Sequence, residues 1–421
     1  MTVKSYHKKK APSKNNDKVS SKHLGLLFLL YFSQGLPFGF QATALPVYLR
    51  SQGVSLTAIG FTGLLALPWM FKPLFAPFSD RYYNKRFGKR KSWIVPMQTC
   101  LLLSSLVASI TLKNSHISIL FASVFAMNFF SAIQDIAVDG LAVDLLSEKE
   151  LGPGNAAQVI GYKAGMIISG GLLVFLTSMT GWQGMFAIMS FLIFCPLVAI
   201  LLFREPMPGL SDSPDQRDLK KIMQKIMAMF KGPSGRWLIF FIATYKTGEL
   251  MIDVMFKPFL VDSGFTASQI GLWVGTYGMV ASLSGSFIGG AISKRYSLMS
   301  MLALSLVLRT VPLGFEWALT LYHPTDVHVI GVTVFEHFFG GMLTTVMFAF
   351  MMSQVDKSIG ATHYTILAAI EVIGKSPGAW ASGPLSDAFG YSPIFLSGIC
   401  LSLLPIFLIF RYRQTKTLEP A

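Results

Sequence analysis

The stretch LRSQGVSLTAIG, Leu49–Gly60, recurs 211 residues later as LVDSGFTASQIG, Leu260–Gly271. Leu, Gly, Ile and Gly stay in register, and Ser55/Thr266 and Thr57/Ser268 are conservative pairs. Further on, SDRY at Ser79–Tyr82 echoes SKRY at Ser293–Tyr296. A nearly constant offset over such a distance points to a duplicated unit. Each copy also carries a helix start: Ser55 and Thr266 are placed to cap the next helix, and Thr266 with Gln269 fits a capping box.

The repeated unit is apolar. Of 421 residues, 52% are hydrophobic and 13% charged, against about 25% charged in soluble domains, and mean hydropathy is +0.54. Windows of about twenty apolar residues match a hydrocarbon core about 30 Å thick. Twelve such windows fall near residues 24–49, 56–78, 92–112, 117–145, 155–177, 184–203, 236–261, 269–293, 298–321, 327–355, 362–385 and 391–411. The expectation is an all-α membrane protein with twelve transmembrane helices in two six-helix halves, 24–203 and 236–411. A basic tail (1–23), a polar linker (204–235) and a short C-terminal tail (412–421) complete the chain. Within the linker, DQRDLKKIMQKIMAMF reads as an amphipathic helix. Cys100, Cys195 and Cys400 lie far apart in apolar windows, so neither a disulfide framework nor a metal site is expected, and no cofactor motif is present.

The net charge of +14 is distributed by side of the membrane. The tail, the even-to-odd loops and the C-terminus contain 27 Lys and Arg; the opposite loops contain only Arg50 and Lys113, and six lie within the windows. That asymmetry predicts both termini in the cytosol and argues against nucleic acid as a partner. Contact of the lysine-rich tail with anionic lipid is a milder reading. A signal peptide is disfavoured, because the apolar run Leu24–Leu49 exceeds a typical h-region.

An ionisable side chain at the bilayer centre costs about 2.5–3.5 kcal/mol on insertion scales, yet the windows hold many. In SAIQDIAVDGLAVDLL (Ser131–Leu146), Asp135 and Asp139 continue a face begun by Asn128 and Ser131; Asp144 points elsewhere and reads as solvated. In YKTGELMIDVMFKP (Tyr245–Pro258), Lys246, Glu249, Asp253 and Lys257 fall within roughly 80° of one another over about 16 Å of rise. Glu336, His337 and Thr344 flank Gly340, and His363, Glu371 and Lys375 share another window, while Lys163 follows Tyr162. Internal bridges Lys246–Glu249, Asp253–Lys257 and Glu371–Lys375 fit the spacing. Charged faces on several helices nevertheless favour a shared polar cavity, since apolar packing would avoid the desolvation cost. Gln34, Tyr162 and Tyr245 are candidate ligand-bonding groups, and His337 and His363 are candidates for proton carriage.

The segment LFAPFSDRYYNKRFGKRKSW (Leu74–Trp93) resembles the loop signature of the major facilitator superfamily, with Asp80, Arg81, Gly88, Lys89 and Arg90 at its positions and six residues, 82–87, in place of the usual one. QGLPFGFQATALPVYLRSQG, QDIAVDGLAVDLL, GNAAQVIGYKAG and ATHYTILAAIEVIGK are similar to the branch containing acetyl-CoA transporters and bacterial muropeptide permeases. The resemblance implies a monomeric secondary carrier working by alternating access, with Asp80 and Arg81 bracing a cytosolic gate. Its inherited substrate is acetyl-CoA or a related anionic metabolite, drawn by Lys163, Lys246 and Lys375, with protons as a possible coupling ion. A peptide- or muropeptide-like solute is the alternative, as is a receptor or scaffold without flux. An acyltransferase is disfavoured, because adjacent Glu336 and His337 project about 100° apart on a helix.

Overall fold

The computed structural model describes residues 21–84, 86–111, 117–146, 151–205, 232–293, 295–354 and 360–418. Residues 1–20 of the basic tail and the predicted amphipathic linker helix lie outside the described residues, and Ser21–His23 open the first helix. All regular structure among the described residues is helical: α1 Ser21–Ser51, α2 Leu56–Met70, α3 Lys72–Arg81, α4 Lys91–Thr111 and α5 Ile117–Leu145. These are followed by α6 (151–180), α7 (182–202), α8 Pro233–Thr244, α9 Thr247–Asp262 and α10 (267–292). The last are α11 Leu298–Leu319, α12 Asp326–Ser353, α13 Gly360–Phe389 and α14 Tyr391–Leu418. The final helix runs past the apolar window into RYRQTK, whose straight-chain residues favour helix.

The apolar windows all fall on helix, but length and apolarity single out seven stretches able to cross a bilayer among the described residues. One of these, Ala156–Leu202, turns back at Gly181, whose φ of 66° only glycine adopts easily, and so carries two windows. These seven account for eight windows; 269–293 and 362–385 lie on α10 and α13 without meeting that measure, and 56–78 and 236–261 fall short because each is interrupted, at Phe71 and at Tyr245–Lys246. Interrupted membrane helices expose polar ends that line cavities. Here the breaks place Lys72 on the first turn of α3 and Lys246 at the cap of α9.

The sequence repeat is also a structural repeat. α1 ends with Gly53 at φ +75° and α9 with Gly264 at φ +92°. In both, the next amide reaches back to the same carbonyl, Val54 N to Leu49 O at 3.0 Å and Phe265 N to Leu260 O at 3.1 Å. The following helix then opens on Ser55 or Thr266, each accepting from a backbone amide, and Thr266 and Gln269 complete the expected capping box.

Packing differs between the two ends of the bundle. At the end where the described chain starts and finishes, α1, α4, α5 and α7 bury Leu27, Leu30, Ile94, Leu141 and Ile200. A separate core there, on α8 and α11–α14, buries Phe241, Leu302, Val346, Leu367 and Ile409. At the far end the helices before residue 205 and those after 232 share one core, with Phe40, Leu49 and Phe186 joined to Ile252, Phe256, Trp273 and Phe395. The bundle is sealed at its far end and divided at its terminal end. Large apolar side chains such as Ile110, Leu202, Phe287 and Val327 are exposed on its outside, as a lipid-facing surface requires.

Candidate functional site

Midway along the bundle, charges cluster on both sides of the division. In the first group, Lys72 Nζ lies against the Asp135 carboxylate and 3.1 Å from Asp139 Oδ2. Asp139 also accepts from Tyr31 Oη at 2.8 Å and Gln158 Nε2 at 3.4 Å. Two turns before Asp135 on α5, Asn128 Oδ1 accepts from Trp69 Nε1 at 3.0 Å, and Asn128 Nδ2 donates to Gln41 at 2.7 Å. The predicted face of α5 is therefore used, with one exception: Ser131 is buried with its hydroxyl unpaired. Tyr162 sits edge-on to Trp69, with ring centroids 6.5 Å apart. Gln34 departs from the expectation, being wholly buried with both amide atoms unpaired rather than facing a cavity. Asp144 is exposed at the end of α5, in keeping with its expected solvation, and it pairs there with Arg90 Nε at 2.7 Å.

In the second group the centre is Arg309, on α11. Its Nε lies 3.0 Å from Glu249 Oε2, a charge contact without hydrogen-bond alignment. Nη1 donates to the Glu336 carbonyl at 2.6 Å, and Nη2 meets the Glu336 carboxylate. Glu336 in turn lies against His337 Nδ1, so a flexible side chain joins neighbours that helix geometry alone sets apart. Lys246 Nζ stands 3.5 Å from Glu249 and donates to Thr344 at 3.0 Å. Lys375 holds both oxygens of Glu371, at 2.8 and 3.1 Å, and Tyr245 Oη donates to the same carboxylate at 3.2 Å. Asp253 and Lys257 pair within α9. All three bridges allowed by the spacing thus form.

Sequence reasoning missed Lys72, Arg309 and Glu316. Lys72 stands alone in its window. Arg309 and Glu316, seven residues apart, share a helix face, and that spacing was a usable signal. Of the six cations within the windows, Lys72, Lys246, Lys257, Arg309 and Lys375 hold carboxylates. Lys163 makes neither a hydrogen bond nor an ion pair among the described residues, and it lies within electrostatic reach of Lys246 across the division.

The far-end seal is polar as well as apolar. Arg50 Nε and Nη2 each stand 2.6 Å from an oxygen of Asp262, which also accepts from Tyr391. Asp387, beyond the apolar part of α13, caps α2 from outside, accepting from Leu56 N at 3.2 Å, Thr57 N at 2.8 Å and Thr57 Oγ1 at 2.7 Å. Burial opposes ionisation of Asp387. The bonds from Thr57 and Leu56 and the nearby Arg50 outweigh it, holding the carboxyl below the usual range. The matching helix start, at α10, is tied by Ser268 Oγ to Phe175 O at 2.7 Å.

At the terminal end the loop signature braces the first group internally. Glu205 accepts from the amides of Arg90 and Lys91, at 2.8 and 2.9 Å, capping α4. Gly88 adopts φ +114° against this carboxylate, a conformation that side chains disfavour. Lys89 lies in the same turn; the side chains of Asp80, Arg81 and His363 lie outside the described residues.

A family profile described as acetyl-coenzyme A transporter 1 matches residues 23–186. The anhydromuropeptide permease of Escherichia coli K12 is 31% identical over 396 residues, covering 93% of this chain and 79% of that protein. Putative transporter AmpG 4 of Rickettsia conorii is 24% identical, covering 93% and 96%. In fold the chain is similar to a point variant of the nucleoside transporter NupG, with TM-score 0.72, 14% identity and coverage of 92% and 99%. It is also similar to a bacterial homologue of the human lysosomal transporter Spinster in an inward-facing, unoccupied conformation, with TM-score 0.74, 15% identity and coverage of 96% and 100%.

Proposed function

Since this chain belongs to the acetyl-CoA transporter and muropeptide permease branch of the major facilitator superfamily, we propose that it is a proton-coupled carrier of a polar, weakly anionic solute of the muropeptide type. One observation carries the substrate class: five of the six membrane-embedded cations are neutralised by the protein's own carboxylates. Only Lys163 is left to meet an anionic group among the described residues. A ligand with several phosphate charges would have to break buried pairs, whereas a sugar–peptide with one carboxylate needs Lys163 alone. Trp69 and Tyr162 beside the cluster offer faces and edges for a sugar or acyl part.

The division of the bundle supports alternating access as the mechanism. The Arg50–Asp262 and Asp387–Thr57 ties close one end while separate cores leave the other end free to part. With the basic termini in the cytosol, this is the inward-facing state. Carboxylates that share cations, such as Glu249 and Glu336 on Arg309, let a proton replace a cation as the helices move.

Acetyl-CoA remains the second reading, favoured by the family profile over residues 23–186. Counterflow into proteoliposomes distinguishes the two. The proposal expects labelled anhydromuropeptide to exchange and to accumulate under an inward proton gradient, with acetyl-CoA exchanging poorly. Exchange of acetyl-CoA alone would replace the substrate class. Accumulation indifferent to the pH gradient would remove the coupling.

A further inference from the structure

We propose that Glu316 carries the coupling proton, taking it up from the far face and passing it inward to the Arg309 cluster. This rests on the carrier reading above. Glu316 lies on α11, 3% exposed, on the same face as Arg309 and about 10 Å nearer the far end by helical rise. Among the described residues its carboxyl makes no hydrogen bond or ion pair. A buried carboxylate without a partner is strongly disfavoured, and a proton is the simplest neutraliser.

The charges around it cannot serve instead. Arg309, on its own helix, and Glu336, on α12, are within electrostatic reach, as are Asp253 and Lys257 on α9. Arg309 is already committed to Glu249 and Glu336, Lys257 to Asp253, and His337 to Glu336. From α14, Ser392 receives the neighbouring Trp317 indole and Tyr391 binds Asp262. His328, at the start of α12, faces Tyr322 and Thr325. On α12 the Thr333 hydroxyl, one turn before Glu336, is wholly buried and also unpaired.

The proton balance is simple. A proton from the far aqueous phase converts the Glu316 carboxylate to the acid while the far end is open. When Arg309 shifts from Glu336 to Glu316, the proton moves to the Glu336–His337 pair and leaves through the terminal end. Arg309 returns to Glu336 once that proton has gone.

The test uses the full-length protein in nanodiscs and proteoliposomes. Infrared difference spectra across a pH titration, without any solute, should show the carbonyl band of a protonated carboxylic acid in the wild type, missing in Glu316→Gln. With labelled anhydromuropeptide as probe, the ratio of pH-driven accumulation to counterflow should fall at least about tenfold in Glu316→Gln. Glu316→Asp, which keeps the acid, should retain driven accumulation with a shifted pH midpoint, and it stands in should the glutamine variant not fold. An unchanged ratio, or a band that survives Glu316→Gln, would overturn the assignment. If the wild type does not move the probe at all, the substrate reading fails. The band then decides Glu316 by itself, its loss in Glu316→Gln supporting the assignment and its persistence refuting it.

Discussion

Lys72 is one cation between two carboxylates, at the break where α2 gives way to α3. Replacing it with Met leaves Asp135 and Asp139 facing each other without compensation. Breaking a fully buried pair costs about 3–5 kcal/mol. Because Lys72 and Asp139 keep part of their exposure, about 1–3 kcal/mol is the appropriate scale here. Lys72→Met should therefore lower thermal stability and abolish uptake, and Lys72→Met with Asp135→Asn should recover the stability but not the uptake, read by melting in detergent and by counterflow. If the double variant melts no higher than the single one, the charges are not coupled. Arg309, at 3% exposure and between two glutamates, has no such discount, so Arg309→Met should fall in the full range, about 3–5 kcal/mol. The contrast shows how far single residues are legible in sequence. Spacing along one helix locates Asp135, Asp139, Glu249, Glu371 and Lys375, because each has another polar residue three or four positions away on the same face. Lys72 and Arg309 find their partners on other helices, and periodicity within a window carries no information about that. Gln34 shows the reverse error: a polar residue on an apolar helix reads as facing a cavity, yet it is sealed inside its own group.

At the scale of elements, the turns after α1 and α9 are readable because local rules fix them: a positive-φ glycine, then a hydroxyl cap. The breaks at Phe71 and Tyr245–Lys246 are not, since an apolar window does not reveal where packing interrupts a helix. Nor is the role of Asp387, which caps a helix 330 residues away. That cap makes the far-end seal sensitive to acid. The Asp387 carboxyl is held below its ordinary range by groups it meets only when the end is closed. A depressed carboxyl stabilises the closed end above the ordinary carboxylate range and loses that contribution as pH falls through its lowered value. Ser386, buried beside it, offers a reporter as Ser386→Cys, with Cys100, Cys195 and Cys400 replaced by alanine. Labelling by an impermeant thiol reagent, taken relative to a fully exposed cysteine at the same pH because the thiolate fraction itself falls in acid, should be slow at neutral pH and quicken in acid. Asp387→Asn should make it fast throughout and remove the pH dependence. A slow, flat profile in Asp387→Asn would mean that Arg50–Asp262 and the apolar core hold the end closed unaided.

At the scale of the whole molecule, the two groups meet most tightly where backbone touches backbone. A Cβ on Gly275 would sit 2.0 Å from Gly170 O and 2.5 Å from Gly171 Cα, while one on Gly60 would come within 3.0 Å of Gly383. No rotamer relieves the first clash, because both obstacles are main chain. The separate cores at the terminal end do not involve this contact, so each group keeps its own packing when the far end is forced apart. Gly275→Leu should therefore fold, yet be unable to close the far end. Since a state must be populated to be used, excluding the closed arrangement should cut counterflow by at least about tenfold. Ser386→Cys labelling in the same background should be fast at every pH. Gly314→Ala is the control, because a Cβ there meets nothing within 4 Å, and it should leave exchange and labelling as in the wild type. Normal exchange by Gly275→Leu would show that the far end need not close this tightly. A collapse in melting temperature to the level of Arg309→Met would show instead that the shared core, rather than the two separate ones, holds the bundle together.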